Sequence, residues 1–415
     1  MGNFVGYRCS LCHQEYSPAE VTYVCPKDGG NLDVILDYDR LGREYSASNV
    51  TSEVEDSIWR YVIILPVSDP GGWDTPLRKV GWTPVYSSQK LMGELGLDKL
   101  WIKDESRNPT ASFKDRASAI IVARAHEIGA KVVITASTGN AGAALACMVA
   151  AMDLQAVILA PKTAPPAKVA QLLVYGARVI LVNGNYDQAF DLSIDAAKEY
   201  DWYCRNTGYN PFTAEGKKTA ALEIWEQVLL ENPDLEKPLC IFVSVGDGNI
   251  ISGLHKGFKD LKAIGWLENT PRIFGVQSVG SAAIANAFQA GSEQIIPVKA
   301  QTIADSISVD LPRDGVRAIR AVKETNGFYI LVKDDEILAA ISDLGRTGIF
   351  AEPAGAAAYA GLKKAIETAL IMPDDPVVVL NTGSGLKDVR AAMQSVEQAP
   401  VIEPTLAALK KVIKF

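Results

Sequence analysis

Apolar and polar positions alternate in two rhythms along most of this chain. Val132–Thr135, Val157–Ala160 and Arg178–Val182 are short, mostly apolar runs bounded by turn residues, which predicts buried strands. Between them Ala143–Met152 and Lys168–Tyr175 keep helical spacing, and Gly184–Asp187 caps a helix that reaches about Tyr200. A second series opens near Thr219 with a helix to Leu230, followed by the strand Cys240–Val245, a glycine loop and the helix Ile250–Ile264. Ile273–Gln277, Tyr329–Val332 and Val377–Leu380 are further strands, and Glu336–Leu344 and Ala354–Ala369 read as helices. Residues 281–325 mix helix and loop. Repeated strand–helix units imply parallel sheets covered by helices on both faces. The expected architecture is therefore two α/β lobes with parallel sheets and a cleft between them, the smaller lobe spanning roughly residues 115–206.

Upstream of these units the rhythm changes. Residues 1–36 stand apart as a small unit in which Cys9-x-x-Cys12 is answered by Cys25-Pro-Lys-Asp28. Two knuckles separated by a strand-like stretch are the pattern of a zinc ribbon. Asp28 takes the fourth place, where zinc accepts a carboxylate; His13 is a second candidate, and a degenerate ribbon that folds without metal is the other reading. Residues 37–415 form the remaining core, beginning with a charged, Ser-, Pro- and Gly-containing stretch over 37–80 that reads as an extended connection. Gly81-Trp-Thr-Pro-Val85 then leads into a helix from Ser87 to Gly96 and the strand Leu100–Lys103.

Composition narrows the function classes. With 415 residues, 48% apolar and 22% charged, the chain has room for a large core and more than one domain. A formal charge of −8 argues against a phosphate-backbone partner, so no nucleic acid is expected. No apolar run approaches the ~18 residues a membrane span needs, and the first residues lack a signal-peptide pattern, so a cytoplasmic protein without a membrane partner is expected. Cys147, Cys204 and Cys240 lie in apolar or mixed segments and read as buried thiols. None of the three histidines sits where a nucleophile or base is expected, which leaves acid–base chemistry to lysine, carboxylates or a cofactor.

The candidate chemistry centres on Asn108-Pro-Thr-Ala-Ser-Phe-Lys-Asp-Arg116. Asn108-Pro109 breaks the chain, and Ser112 with Asp115 reads as a variant capping box at a helix start. Lys114 then falls in the first helical turn, at the positive end of the dipole, where an amine that must lose its proton to attack a carbonyl is favoured. Ser137-Thr-Gly-Asn-Ala-Gly142 joins a strand to a helix and offers hydroxyls and amides to an anion. Val243-Ser-Val-Gly-Asp-Gly-Asn249 repeats that arrangement and suits a phosphate dianion. Asp247 is awkward beside a phosphate, so its side chain is expected to point outward.

With Leu380-Asn-Thr-Gly-Ser-Gly-Leu-Lys-Asp388, these segments resemble, in family order, the fold type II (tryptophan synthase β-like) enzymes that use pyridoxal 5′-phosphate, and among them the threonine synthase branch. The resemblance implies that Lys114 forms the Schiff base, with Phe113 beside it, and that Asn140 contacts the cofactor's phenolic oxygen. It implies a phosphate cup at Val245, Gly246, Asp247, Gly248 and Asn249, and the Thr382 hydroxyl on the pyridine nitrogen. Ser137, Thr138, Gly139 and Ala141 would hold the substrate α-carboxylate. The implied reaction converts O-phosphohomoserine and water to threonine and phosphate; the alternatives are a lyase or β-replacement enzyme, serine/threonine dehydratase-like or cysteate synthase-like, and a non-catalytic interaction protein on this scaffold. A small amino acid is the expected substrate and a homodimer the expected assembly. Some relatives resemble this chain in carrying such a ribbon ahead of the catalytic core, which implies a structural role for Cys9, Cys12, Cys25 and Asp28. Two departures stand out: Thr213 replaces the family's phosphate-gripping arginine, and Ser306-Ile-Ser-Val-Asp-Leu-Pro312 lacks another cation. Lys217, Lys218 and Arg205 are the candidates to compensate.

Overall fold

Strands form where the apolar runs lie. The computed structural model describes residues 3–137, 139–164 and 166–413. Its strands are β1 (Phe4–Cys9), β2 (Glu15–Tyr16), β3 (Leu32–Leu36), β4 (Val85–Ser87), β5 (Leu100–Asp104), β6 (Val132–Ala136), β7 (Gln155–Pro161), β8 (Arg178–Val182), β9 (Tyr203–Cys204), β10 (Cys240–Ser244), β11 (Arg272–Ser278), β12 (Tyr329–Val332) and β13 (Val377–Asn381). One sheet runs β12-β11-β10-β13-β5-β4 and another β8-β7-β6-β9. The smaller sheet is parallel throughout. The larger is parallel except at its edge, where β4 pairs antiparallel with β5, Val85 opposite Lys103. That edge corrects the expectation of wholly parallel sheets. The three-residue β4 reaches β5 through only the seven-residue helix Gln89–Leu95, a short connection for a parallel crossover. Residues of β10 and β13 are buried on both faces, which explains their unbroken apolar runs.

The helix Lys114–Glu127 lies between the lobes, packed on Asn140–Ala150 and on Phe212–Ile224. Gly216 permits the second contact, since a Cβ there would stand 2.6 Å from the Ala117 Cα. Phe212–Ile224 begins well before the expected Thr219 because every residue in it is buried, leaving no polar face to mark its start. The expected extended connection over 37–80 is also corrected. Tyr38–Glu44 is a helix capped by Asp37, and Ile58–Ile64 forms tight helical turns whose Ile58, Trp59, Tyr61 and Ile64 enter the core.

The Ser112–Asp115 capping box does not form. Phe113, at the cap position, has helical backbone angles (φ −53°, ψ −24°) and gives no side-chain cap. The Asp115 carboxylate instead accepts the Thr110 N–H at 2.7 Å and the Thr110 hydroxyl, partners that lie nearer in the folded loop. The loop is held from outside. Phe113 N–H donates to the Thr382 carbonyl (2.9 Å), Ser384 N–H donates to the Ala111 carbonyl (3.0 Å), and Ala111 adopts the left-handed φ of 60°.

The N-terminal unit is an antiparallel sheet ordered β2-β1-β3. Tyr23 stacks on Tyr209 at 4.6 Å and its hydroxyl accepts the Cys204 N–H at 2.9 Å. The Asn31 amide donates to the carbonyls of Gly208 and Arg313, the latter at 3.1 Å. Arg317 reaches back to Asp33 at 2.8 Å. The unit therefore buttresses the 203–213 segment and the larger lobe together.

Candidate active site

Between the two sheets lies a cavity of about 430 Å³. Lys114 enters it from the first turn of its helix, and the loops after β6 and β10 supply two further walls, both at the carboxyl ends of parallel strands. Ser137, Gly139, Asn140 and Ala141 line it from the first loop, and Val245 through Asn249 from the second. Thr138 lies outside the described residues. The Ser137 hydroxyl accepts the N–H groups of Gly139 (3.2 Å) and Gly142 (2.9 Å), fixing the first loop ahead of any ligand. In the second, Gly248 takes φ 91°, and a Cβ there would come within 2.6 Å of the Asp314 carbonyl. The helix Asn249–Ala263 starts at that point and aims its amides at the cavity wall.

Asp247 is not turned outward. It lines the cavity, half-buried, and its carboxylate accepts the Arg313 N–H at 3.1 Å. Its carbonyl accepts the Asp314 N–H at 3.0 Å, so the side chain and backbone of Asp247 both clasp the 313–314 turn. Burial raises its carboxyl above the usual range against the opposing pull of the Arg313 N–H and Lys217. Phe113 and Thr382 do not line the cavity. They stand behind Lys114, joined by the Phe113 N–H bond to the Thr382 carbonyl.

Burial lowers the Lys114 ammonium below the usual lysine range, and the neighbouring Arg205 adds to the effect. That electrostatic setting, rather than the helix dipole alone, frees the amine to act as nucleophile or base. Of the three compensating cations, Lys218 is excluded: it is buried in ion pairs with Glu215 (2.5 Å) and Asp260 (2.8 Å). Lys217 lines the cavity, and Arg205 sits behind Thr207, which also lines it. Thr213 gives its hydroxyl to the Asn210 carbonyl (2.7 Å) and is fully buried.

One functional side chain escaped the sequence reading. Both oxygens of Glu352 accept the Asn140 amide at 3.0 Å, across the cleft. Burial raises the Glu352 carboxyl, and the Asn140 bond opposes that shift. The available signal was a carboxylate immediately before Pro353, at the start of an alanine-rich helix whose first ten residues are all buried.

At the N-terminal unit the candidate ligand atoms of Cys9, Cys12, Cys25 and Asp28 all lie within 4.8 Å of one another. Cys12 and Cys25 sulfurs stand 3.7 Å apart, and Cys9 Sγ is 3.3 Å from Asp28 Oδ1. His13 is exposed at φ 61° and is not in the cluster, which removes it as the alternative ligand.

A buried amine of lowered basicity, a glycine cup at a helix start and two loops pinned together suit an aldehyde that carries a phosphate. The chain belongs to the pyridoxal-phosphate dependent enzyme family, whose sequence profile matches residues 77–383. It is similar to the threonine synthase of Methanocaldococcus jannaschii, 38% identical over 410 residues that cover 98% of this chain and 99% of that protein. The threonine synthase of Methanosarcina acetivorans is 36% identical, covering 98% of each chain. Among solved structures, the processed threonine deaminase isoform 2 of Solanum lycopersicum shares the fold, with a TM-score of 0.65 at 24% identity over 80% of this chain and 97% of that one. Among the described residues no helix is long and apolar enough to cross a membrane.

Proposed function

We propose that this enzyme converts O-phosphohomoserine and water to threonine and phosphate. The observation that carries the reading is the 38% identity to a threonine synthase over 98% of the chain. Lys114 facing the cavity is consistent with it.

Lys114 would hold the cofactor through its aldehyde carbon, with the Val245–Asn249 cup on its phosphate and Asn140 on its phenolic oxygen; Thr382, which does not line the cavity, would support the Lys114 loop through the Phe113 N–H bond to its carbonyl. When bound, pyridoxal phosphate draws electrons from the substrate's Cα and makes protons at Cα and Cβ removable. Lys114, kept short of its charge by burial and by Arg205, takes and returns those protons. Ser137, Gly139 and Ala141, at the start of the Asn140–Ala150 helix, receive the α-carboxylate. Glu352 holds the Asn140 amide so that its orientation is set before substrate arrives. Phosphate departs from Cγ, the proton lost from Cβ is made good by one delivered to Cγ, and water adds at Cβ. Cys9, Cys12, Cys25 and Asp28, whose ligand atoms lie within 4.8 Å of one another, would hold one structural zinc, and the N-terminal unit would then be a zinc ribbon that props the 203–213 segment.

The test is turnover of purified enzyme with O-phosphohomoserine, threonine, serine and phosphoserine. Equal amounts of threonine and phosphate from O-phosphohomoserine alone support the reading. Formation of a 2-oxo acid from serine or threonine, with no threonine from O-phosphohomoserine, overturns it.

A further inference from the structure

Asn31, in the N-terminal unit, ties together two walls of the cavity that come from different lobes. Its amide donates to the Gly208 carbonyl, in the loop after β9, and to the Arg313 carbonyl of the larger lobe at 3.1 Å. Both partners are acceptors, so the two N–H groups of one amide are divided between the lobes. Gly208 and Arg313 also meet directly. Gly208 takes φ 75°, and a Cβ there would stand 2.7 Å from the Arg313 Cβ. Asn31 itself is held between the two cysteine knuckles. Its carbonyl accepts the Ser10 N–H at 2.9 Å, and its backbone bridges to Val24, beside Cys25.

From each partner a short path leads to the cavity. Gly208 follows Thr207, which lines it. On the other side, the Arg313 N–H donates to the Asp247 carboxylate (3.1 Å) and the Asp314 N–H to the Asp247 carbonyl (3.0 Å). The Asp314 carboxylate accepts the Asn249 amide at 2.7 Å. Asp247 and Asn249, in the Val245–Asn249 loop, are thus both fastened to the 313–314 turn. Arg317 gives that turn a second tie to the N-terminal unit. It holds Asp314 at 2.6 and 2.8 Å and reaches the Leu32 carbonyl (3.3 Å) and Asp33 (2.8 Å). Backbone amides that must converge on one dianion bind it better when their loop is fixed beforehand. We propose that Asn31 is a positioning residue for the phosphate cup: by fastening the loop after β9 to the 313–314 turn, it sets the cup before the cofactor arrives. The N-terminal unit is then part of the cofactor-binding apparatus. This rests on Val245–Asn249 being the cup and is independent of which amino acid is the substrate.

The probes are pyridoxal phosphate and pyridoxal, which lacks the phosphate, each titrated onto full-length enzyme stripped of cofactor and followed by absorbance. Asn31→Asp keeps the size of the side chain but replaces both donors with acceptors. It should weaken pyridoxal phosphate about five- to thirtyfold, the range that losing one or two neutral hydrogen bonds allows, and pyridoxal less than about twofold. Asn31→Ala should do the same. A loss below about fivefold, or one matched by pyridoxal, makes Asn31 merely structural and overturns the proposal. Coupling is reciprocal, so in wild type pyridoxal phosphate, but not pyridoxal, should slow amide hydrogen exchange over residues 29–33. Exchange there that ignores the cofactor's phosphate also overturns the proposal, and this measurement decides alone if circular dichroism shows both variants unfolded. A wild type that binds pyridoxal as tightly as pyridoxal phosphate would remove the cup and the proposal with it. Failure of the Asn31 variants in an enzyme that prefers the phosphate would reject Asn31 alone.

Discussion

Arg116→Met should remove about 3–5 kcal/mol of stability, the cost of breaking a buried ion network by deleting one member. Arg116 is fully buried two residues after Lys114 and donates to Glu105 at 2.7 and 2.8 Å. It also donates to Glu223 at 2.5 and 2.7 Å, to Thr219 at 2.9 Å and to Thr83 at 3.2 Å. Lys103, equally buried, gives Glu223 a further bond at 2.6 Å. Two carboxylates face two cations, and the set is neutral. Burial alone would raise Glu223, but Arg116 and Lys103 outweigh it and bring the carboxyl to about 2. Without Arg116, one carboxylate must take up a proton or remain buried and unpaired. Against a total stability of about 5–15 kcal/mol the loss is large, and it falls where the Lys114 helix joins β5 and the helix Phe212–Ile224. Urea unfolding followed by tryptophan fluorescence measures it, with cofactor loading read in parallel. The loss should shrink at acid pH, as the orphaned carboxylate protonates. A loss below about 1 kcal/mol, or one indifferent to pH, would refute the argument from a neutral buried set.

Asp115→Asn should change sign with pH. Burial lifts Asp115 from 3.8 to about 6, so folding is penalised by about 3 kcal/mol once pH exceeds that value, and not at all below the ordinary carboxylate range. Asparagine escapes the penalty but loses one acceptor for the two Thr110 donors, about 1 kcal/mol. The variant should therefore be more stable than wild type near about pH 8 and less stable near about pH 4 in thermal melts. Lys114→Ala should abolish both turnover and the borohydride-reducible link between chain and cofactor, which mass spectrometry of the peptide containing residue 114 would read. Metal analysis should find one zinc per wild-type chain, lost in Cys12→Ser and kept in His13→Ala; equal zinc in wild type and Cys12→Ser would remove the site.

Much of the fold is legible in local pattern. Runs such as Val132–Thr135 and Arg178–Val182 have strand length and turn-residue borders; burial keeps the first apolar, whereas the second stays apolar although it lies at the exposed edge of its sheet. What pattern hides is any element whose contrast has been erased. The start of Phe212–Ile224 vanishes because all its faces are buried, and Asp115 misleads because its local signature is met by Thr110 in space rather than by a cap. The site divides in the same way. Lys114, Asn140 and the Val245–Asn249 loop are readable because a helix start and glycines imply an anion. Glu352 comes to Asn140 from 212 positions away, and nothing in either segment announces the pairing. Likewise Lys217 and Lys218 are adjacent lysines in sequence, and only the packing of Asp260 and Glu215 around one of them tells their roles apart.

The central claim is that phosphate leaves carbon while water adds to the neighbouring carbon. Turnover of O-phosphohomoserine in isotopically labelled water measures both events at once. The account predicts threonine carrying the heavy oxygen in its hydroxyl and released phosphate carrying none. Label in the phosphate, or phosphate released with homoserine and no threonine, would show attack at phosphorus and contradict it.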